Sequence, residues 1–438
     1  MIRVAVVGCD ENIIKHLSNS LIHKVVNRFD NIDGLIDVAN SIDLVVTSSD
    51  YSELIKLVEL CGKLSLQLEV IPEGKEFKRE IGENELIAKL MEMPIFSSRP
   101  PQGDVDGSYL KYKRVLITGA GGSIGGDLAR KIARYDPEHI TLVDNSENGV
   151  YEIDLDLAID GFTRRTSIVS DIRDDSRMKA IMIEGRPDSI FHVAARKHVP
   201  LMERFPEEAV TTNIGGTLIV LKHLRECGCE LFTFVSTDKA ADPANVMGAT
   251  KRVAERIIQH HARKSSGRYC IVRFENVLDS QGNVVYTFVR QLQRNGVLTI
   301  TSPEMNRYFI TRNDASSFII KASRICQKGE VCVPDAGKPV YIADLARAIA
   351  SGLGYRENLD YKIVFTKPRP GEKLTEELLT NSEQGRAKKI GAMFITNPVD
   401  DDPPNFEENL VKILDAAHRV DRQAIIDLLE KLEPTYKA

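Results

Sequence analysis

Between residues 113 and 275 the chain alternates short apolar segments with longer segments of helical periodicity. Strands of a parallel sheet that helices cover on both faces have this pattern, because both faces of each strand are buried. The alternation therefore predicts an α/β protein with a doubly wound parallel sheet, the Rossmann arrangement. The predicted strands are residues 114–118, 139–143, 166–169, 189–194, 231–236 and 269–273.

The segments on either side of this core predict further parts of the chain. Apolar and helical segments near the N-terminus indicate an additional α/β domain over residues 1–92. Its first turn has a single glycine, so we expect a degenerate Rossmann-like domain with a structural or regulatory role. Its predicted strands are 2–8, 42–49 and 66–72, and its predicted helices are 12–27 and 51–62. The other predicted parts are a linker at 93–112, the core at 113–275, and a small C-terminal lobe with helices at 276–438.

Charge and composition argue against several classes of protein. The formal net charge of −5, without a long basic run, argues against nucleic-acid binding. The seven cysteines form no Cys-x-x-Cys pair, so we expect inert thiols, no metal site and a reducing cytoplasmic location. The N-terminus lacks a signal-peptide pattern, and no stretch approaches about 18 consecutive apolar residues, so we expect no membrane span in this chain.

The turn after the first core strand has the glycine spacing of a dinucleotide site. Gly119, Gly122 and Gly125 follow the strand and open a helix. Missing side chains permit the tight turn and the close approach of a pyrophosphate, which the helix N-terminus attracts. Asp144 ends the next strand, where a carboxylate can accept both ribose hydroxyls and would repel a 2′-phosphate. The pattern therefore favours NAD over NADP.

A polar segment at 236–251 follows the predicted strand 231–236. Parallel sheets bind ligands at the carboxyl edge of their strands, so we expect these residues to face a ligand. Met247 and Lys251 occupy the positions where short-chain reductases carry Tyr-x-x-x-Lys. A spacing of four places both side chains on one face of a helix.

Seven separated motifs resemble those of bacterial UDP-N-acetylglucosamine 4,6-dehydratases of the polysaccharide-biosynthesis type, in the extended short-chain dehydrogenase/reductase superfamily. The motifs are TGAGGSIG (118–125), VDNSENGVYEI (143–153), ARKHVPLME (195–203), TNIGGT (212–217), STDKAADPANVMGATK (236–251), RFENVLDSQGNVV (273–285) and PRPGEK (368–373). The resemblance runs from about 94 to 385. The N-terminal domain resembles the cytoplasmic domain of the long members, whose membrane helices are absent here. A homo-oligomer, dimeric or larger, is expected.

The resemblance implies a lyase reaction on a UDP-N-acetylhexosamine, with UDP-N-acetylglucosamine as the expected substrate. C4 of the sugar is oxidised with NAD⁺, water is lost across C5–C6, and hydride returns to C6. Thr237 would hydrogen-bond the C4 oxygen, Asp238 would protonate the departing C6 hydroxyl, and Lys239 would remove the C5 proton. Lys251 would hold the nicotinamide ribose and help accept the C4 hydroxyl proton. Met247 cannot relay that proton as a tyrosinate does.

The resemblance and the glycine pattern together imply a wider set of contacts, and they make the C-terminal lobe the substrate-binding part. The cofactor contacts would be Gly119, Gly122, Ser123, Ile124, Gly125, Asp144, Asn145, Ser146, Asp171, Ile172, Ala194, Ala195, Lys197, Asn213 and Lys251. The substrate contacts would be Lys197, Glu203, Asn276, Arg307, Arg369 and Glu372. Asp171 would meet the adenine amino group, Arg307 and Arg369 the diphosphate, and Glu372 the uridine ribose.

Three alternatives stay open. A dehydratase that also inverts C5 tolerates the same methionine. An NAD-dependent sugar epimerase has this fold, but the missing tyrosine and the acid–base pair favour dehydration. A catalytically inactive nucleotide sensor is the alternative of another class. It is suggested by the missing tyrosine, the extra N-terminal domain and Glu275, which stands where relatives usually have glycine.

Overall fold

The computed structural model describes residues 105–280, 282–398 and 401–437, together with parts of residues 2–71. The chain divides into two compact units. One comprises Met1–Gly82 with Ala350–Arg356, and the other comprises Glu83–Ile349 with Glu357–Ala438. No helix in the described ranges has the length and hydropathy that crossing a membrane requires.

The described part of the N-terminal unit contains a parallel sheet of four strands in the order β2-β1-β3-β4. These are β1 (Ile2–Val7), β2 (His23–Phe29), β3 (Leu44–Ser48) and β4 (Gln67–Ile71), and a short helix α1 (Leu35–Val38) precedes β3. Successive β1 side chains pack into apolar clusters on opposite faces, as expected for a parallel sheet covered on both sides.

The prediction of a helix over 12–27 is wrong at its C-terminal end, where β2 lies. Side chains from residue 24 to residue 29 alternate between exposed and partly buried, which is the period of an edge strand. The glycine turn after β1, much of the predicted helices 12–27 and 51–62, and residues 72–104 lie outside the described residues.

The second unit is built around one large sheet. The described strands of the second unit are β5 (Arg114–Thr118), β6 (His139–Asp144), β7 (Arg165–Val169), β8 (Ser189–His192), β9 (Leu231–Val235), β10 (Arg268–Val272), β11 (Asn276–Val277), β12 (Val297–Ile300), β13 (Asn306–Arg307), β14 (Phe309–Ile310), β15 (Lys328–Pro334), β16 (Val340–Tyr341), β17 (Lys362–Phe365), β18 (Lys388–Ile390) and β19 (Met393–Thr396). Among the described residues the large sheet has the order β18-β19-β15-β10-β9-β8-β5-β6-β7. From β15 to β7 the pairs are parallel. This order is that of a doubly wound dinucleotide-binding sheet, so the predicted fold class is confirmed. All six predicted core strands are present to within two residues.

Helices cover both faces of this sheet. The α-helices that the structure describes after β5 are α2 (Ser123–Ala133), α3 (Glu147–Ile159), α4 (Asp175–Gly185), α5 (Val199–Arg204), α6 (Pro206–Ala209), α7 (Thr217–Cys227), α8 (Val246–Arg263), α9 (Val284–Asn295), α10 (Arg312–Ile325), α11 (Ile342–Gly352), α12 (Asn381–Gln384), α13 (Phe406–His418) and α14 (Arg422–Leu432). Several begin at a capping side chain. Ser146, Asp174 and Asn245 each accept a backbone N–H three residues later, at 3.2, 2.9 and 2.8 Å.

Much of the region predicted as a separate C-terminal lobe belongs to the core. β15 pairs in parallel with β10, and β19 covers the next edge in antiparallel pairing. Helices α13 and α14 share one hydrophobic cluster with β9 and α8. The apolar strand β15 extends the sheet because the edge of β10 would otherwise leave unpaired backbone groups. The end of the predicted linker is packed too, since Leu110 is fully buried and Tyr109 donates a hydrogen bond to Ile320 O.

Candidate active site

The glycine turn and the polar segment after β9 lie at the same edge of the sheet. β5, β8 and β9 are parallel neighbours, so their carboxyl ends point the same way. With about 4.8 Å between strands, the two segments begin about 10 Å apart. Ligands of doubly wound sheets bind at this edge, at the point where the strand order reverses.

The three glycines of the turn have different roles. Gly119 has φ +72°, and a Cβ there would lie 2.5 Å from Ala194 N. A Cβ on Gly125 would lie 2.1 Å from Gly119 O, so no side chain fits between helix and turn. Gly122 caps α2 and has more room, with the nearest atom 3.3 Å away. Ser123 and Ile124 open that helix, and the N-terminus of a helix attracts an anion.

The Asp144 carboxylate connects β6 to the glycine turn. Its Oδ2 accepts a hydrogen bond from Gly121 N at 3.0 Å, and its Oδ1 accepts one from Ser146 N at 2.8 Å. Asn145 and Ser146 are exposed beside it. The carboxylate therefore lies next to the turn, where the ribose contact was predicted.

A cavity of about 420 Å³ opens against this turn. Gly121, Gly122 and Ser123 form one wall, and Asp279 and Arg312, paired at 3.1 Å, contribute to the other. Its lining includes neither the residues after β9 nor Lys251. The cavity thus adjoins the glycine turn, and the polar segment after β9 lies outside it.

Two predicted cofactor residues follow β7. The Asp171 carboxylate lies 2.7 Å from the Arg173 guanidinium. Burial opposes its charge, but the hydrogen bonds from Arg173 lower the pKa of Asp171 overall. Ile172 packs so closely on Gly216 that a Cβ there would lie 2.4 Å from Ile172 Cδ1. The arginine pairing was not foreseen, and the adenine contact of Asp171 stays a prediction.

The predicted residues Ala194, Ala195 and Lys197 lie in the loop after β8, which Asn213 fixes. The Asn213 side chain accepts a hydrogen bond from Arg196 N at 2.8 Å and donates to Arg196 O at 3.1 Å and Thr250 Oγ1 at 3.0 Å. Asn213 belongs to a π-helical segment, Val210–Gly216, a distortion that recurs at functional sites. Its buried amide therefore positions the loop against α8.

The segment after β9 places a buried ion pair at the sheet edge. Asp238 N donates to Phe274 O at 3.2 Å, which holds the backbone beyond the end of β9. The Asp238 side chain is 1% exposed, and its Oδ1 lies 2.9 Å from Lys239 Nζ. Thr237 Oγ1 donates to the same oxygen at 2.8 Å. Asp238 Oδ2 is buried and has no hydrogen-bond partner within the described residues, so it can serve a ligand.

Helix α8 carries Lys251 beneath this pair. Its Nζ donates to Val235 O at 2.7 Å and lies 3.8 Å from the centroid of the Phe234 ring. Burial lowers the pKa of Lys251 to about 7, against the opposing charge of Glu255. Met247, one turn earlier, is buried in the hydrophobic cluster of that face of the sheet. Met247 packs against apolar side chains, and its thioether makes no polar contact with the described residues.

Two of the predicted substrate residues, Glu203 and Asn276, make hydrogen bonds within the protein. Glu203 Oε1 accepts a hydrogen bond from Val246 N at 2.7 Å. Burial raises the pKa of Glu203, although that hydrogen bond lowers it. Asn276 Nδ2 donates to Tyr308 O at 3.2 Å, away from the first turn of α8. The structure thus directs both side chains into protein contacts, and their ligand contacts stay predictions.

The PRPGEK turn packs on the segment before α8. Glu372 accepts a hydrogen bond from Arg369 N at 3.1 Å, while the Arg369 side chain is exposed. Gly371 O accepts one from Asn245 Nδ2 at 3.0 Å, and Gly371 has φ +72°. The Arg307 guanidinium donates to three backbone carbonyls near this turn instead of projecting into the cavity against the glycine turn.

Two further site residues were not predicted. His192, fully buried at the end of β8, shares a hydrogen bond with Thr118 Oγ1 at 2.7 Å and another with Thr217 Oγ1 at 3.1 Å. Burial, and then the charge of Lys251, lower the pKa of His192 to about 3, so the imidazole is neutral. The position of His192 at the end of an apolar strand is the sequence feature that could have identified it as a site residue. Glu376, the second unpredicted residue, is buried near Lys239, but the sequence does not distinguish it from its neighbour Glu377.

A network of buried charged side chains contacts the polar segment that follows β9. Arg273 has no exposed side-chain surface and contacts Glu255 at 2.6 Å and Glu383 at 2.7 Å. Arg252 reaches the same two carboxylates at 2.9 and 3.0 Å. Ser236 Oγ, next to Thr237, donates to Glu255 Oε1 at 2.5 Å. The segment after β9 is therefore anchored to α8 and α12 through paired charges.

Three cysteines meet in the core, where Cys270 joins Cys326 and Cys332 from a distant part of the sequence. The sulfur atoms of Cys270, Cys326 and Cys332 lie within 4.8 Å of one another, and all three residues belong to an apolar cluster. Their proximity was not foreseen from the sequence. A structural zinc site takes four ligands. No fourth His, Cys, Asp or Glu of the described ranges joins the three thiols.

Comparisons with known proteins agree with this architecture. A family model described as polysaccharide biosynthesis protein matches residues 115–398. The capsular polysaccharide biosynthesis protein CapD of Staphylococcus aureus is 43% identical over 277 residues, which are 63% of this chain and 46% of CapD. The chain thus spans less than half the length of that relative.

Two further relatives cover a larger share of their own chains. A UDP-N-acetylglucosamine 4,6-dehydratase (inverting) of Campylobacter jejuni is 31% identical over 292 residues, which are 65% of this chain and 83% of that enzyme. The X-ray structure of Pen from Bacillus thuringiensis has 33% sequence identity and a TM-score of 0.62, covering 66% of this chain and 89% of Pen. The chain therefore belongs to the polysaccharide biosynthesis protein family and has the fold of the extended short-chain dehydrogenases/reductases.

Proposed function

We propose that the protein catalyses the NAD-dependent 4,6-dehydration of UDP-N-acetylglucosamine. The product would be a 4-keto-6-deoxy sugar nucleotide for surface polysaccharide or glycan biosynthesis. The observation that carries the proposal is the buried pair of Asp238 and Lys239 at the sheet edge, with Asp238 Oδ2 available to a ligand. The names of the capsular and dehydratase relatives support it.

The residues present fit NAD. At Gly119 and Gly125 a Cβ would collide with backbone atoms, which leaves the tight turn and helix N-terminus that a pyrophosphate requires. The carboxylate of Asp144 beside the turn suits ribose hydroxyls and disfavours a 2′-phosphate. NAD would supply the hydride acceptor and donor in this site.

Asp238 and Lys239 together hold the proton that dehydration needs. In the ion pair the proton is on the amine, and its transfer along the 2.9 Å contact gives a neutral amine and a carboxylic acid. These are the forms required of a base and an acid. Lys239 then takes the C5 proton as the C5–H bond breaks, and Asp238 gives its proton to the C6 oxygen as the C6–O bond breaks. The pair returns to its ionic form, and Lys239 gives a proton back to C5 when hydride reaches C6.

The proton of the C4 hydroxyl needs another acceptor, because Met247 cannot take it. With its pKa lowered to about 7, Lys251 would be about half neutral at pH 7, compared with roughly one in a few thousand for an ordinary lysine. The oxygen of Thr237, whose hydroxyl donates to Asp238, can accept a hydrogen bond from the sugar at O4. Solvent exchange from Lys251 to Asp238 would close the proton balance, since O4 loses one proton and the departing water takes one.

Dehydration with inversion at C5 is the second candidate. The name of the Campylobacter jejuni relative describes it as inverting, and Lys239 is the residue that would return the C5 proton here. A simple epimerase needs only the tyrosine, lysine and hydroxyl of ordinary reductases, and the tyrosine is replaced here by Met247. An inactive sensor does not require the buried acid–base pair. Cytoplasmic location and a homo-oligomeric state stay predictions.

Proton NMR of the product in D₂O tests the proposal. We expect a C6 methyl signal from UDP-N-acetylglucosamine with deuterium at C5, and the product formed in H₂O, which keeps a proton at C5, gives the C5 configuration. Lys239→Ala should give neither the methyl signal nor deuterium at C5, although NAD still binds. The surface variant Lys179→Ala should give both. Absence of turnover on a panel of UDP- and dTDP-sugars, or wild-type activity in Lys239→Ala, contradicts the proposal.

A further inference from the structure

Glu376 lies beside the reacting pair of Asp238 and Lys239. Its Oε1 is 4.0 Å from Lys239 Nζ, and its side chain is 3% exposed. The Lys239 amine thus has two carboxylate neighbours, Asp238 at 2.9 Å and Glu376 at 4.0 Å. The neighbouring residue Glu377 is exposed, so the burial is particular to one of two adjacent glutamates.

The guanidinium of Arg307 is a second cation near Glu376. Arg307 Nη2 is 3.8 Å from Glu376 Oε1. The same guanidinium donates to Asn306 O at 2.6 Å, Leu374 O at 3.0 Å and Lys373 O at 2.9 Å. With these bonds, Arg307 cannot follow a substrate phosphate without breaking three contacts. Glu376 therefore has two cationic neighbours, the Arg307 guanidinium and the amine of Lys239.

We propose, building on the dehydration proposed above, that Glu376 is a positioning residue that serves as the second counter-ion of Lys239 during removal of the C5 proton. At that step the C5–H bond breaks, an N–H bond forms on Lys239, and the electron pair enters the 4-keto enolate. Asp238 still carries its acidic proton and is neutral. Glu376 is then the carboxylate that stabilises the new ammonium until Asp238 protonates the departing hydroxyl and becomes charged again.

The charges around Glu376 are consistent with this role. Lys239, Arg307 and Lys373 favour its ionised form, and Asp238 opposes it. Burial is the largest influence and raises the pKa of Glu376. The carboxylate is consequently sensitive to the charge of Asp238, which changes during the reaction. Neutralising Asp238 removes a negative neighbour and favours the charged form of Glu376 when the ammonium on Lys239 has formed.

The test compares Glu376→Gln with its exposed neighbour, Glu377→Gln. Two steps are measured with NAD and UDP-N-acetylglucosamine: formation of reduced nicotinamide by absorbance in a single turnover, and deuterium incorporation at C5 by NMR in D₂O. We expect Glu376→Gln to slow C5 incorporation by about 10- to 100-fold while C4 oxidation stays within about threefold. The pH at half-maximal C5 incorporation should also fall, because one of the two carboxylates that stabilise the ammonium is gone. Glu377→Gln should resemble the wild type.

Glu376→Asp keeps the charge and shortens the side chain, so it should recover part of the C5 rate. Equal losses of C4 oxidation and C5 incorporation in the Gln and Asp variants would indicate a structural role and overturn the inference. So would a Glu376→Gln variant with the C5 rate and pH profile of Glu377→Gln. If the wild type oxidises no nucleotide sugar, the proposed function fails first and this inference fails with it.

Discussion

An alanine at Gly125 tests whether the turn after β5 needs its missing side chain. The added Cβ would lie 2.1 Å from Gly119 O and 2.9 Å from Ala120 Cα, both backbone atoms of the turn. Ordinary carbon–oxygen contacts are about 3.3 Å or longer, so helix and turn must separate by about 1 Å. Gly126 is the matched control, because its Cβ would be 3.4 Å from Ala120 O, an ordinary contact.

Apart from this contact, we expect the two substitutions to change the free energy of unfolding in the same way. Both positions lie in α2, so each alanine gains about 0.5–1 kcal/mol of helix propensity over glycine. Only Gly125→Ala adds the overpacking cost, about 1–3 kcal/mol. The two variants should therefore differ by about that amount, or a few degrees in the unfolding midpoint. Displacement of the turn should also weaken NAD binding by about tenfold or more, since each 1.4 kcal/mol is a factor of about ten.

Thermal unfolding followed by circular dichroism measures the first effect, and calorimetric titration with NAD measures the second. Gly126 lines the cavity beside the turn, but its Cβ would not displace the turn, so we expect Gly126→Ala to be at least as stable as the wild type and to lose less NAD affinity than Gly125→Ala. A Gly125→Ala variant with the stability and NAD affinity of Gly126→Ala would refute the packing argument.

Three other predictions concern the surroundings of the site. Arg273→Met leaves its two glutamate partners buried without their main counter-ion and should cost about 3–5 kcal/mol in urea unfolding, whereas Arg419→Ala, at an exposed pair, should cost less than about 1 kcal/mol. C4 oxidation should accelerate as pH rises through about 7, because burial lowers the pKa of Lys251 to about 7 and only its neutral form accepts a proton; Lys251→Arg should remove that dependence from a stopped-flow pH profile. Gly371→Ala places a Cβ 2.8 Å from Ala244 O at φ +72°, so it should raise the KM for the nucleotide sugar more than it lowers kcat in steady-state assays; an unchanged KM would count against the placement of this turn.

Local patterns of the sequence were enough to predict the core of the fold. The burial period of each strand and the glycine spacing after β5 act over a few residues, and they placed Gly119 and Gly125 where packing requires them. The helix prediction is wrong at 23–29 in the N-terminal unit, where the weak alternation belongs to the edge strand β2. The prediction of a separate lobe is wrong after residue 328, because pairing of β15 with β10 depends on an open sheet edge distant in sequence.

The sequence by itself determined which chemical groups the site contains: an acid and an amine at Asp238 and Lys239, and an amine at Lys251 without a tyrosine. Only the tertiary structure decided the state of these groups. Burial against Phe234 lowers the pKa of Lys251, and the fold places Glu376, but not its neighbour, beside Lys239. The reason is physical: side-chain identity and periodicity are local, whereas desolvation and the field of distant charges depend on which segments the folded chain brings together.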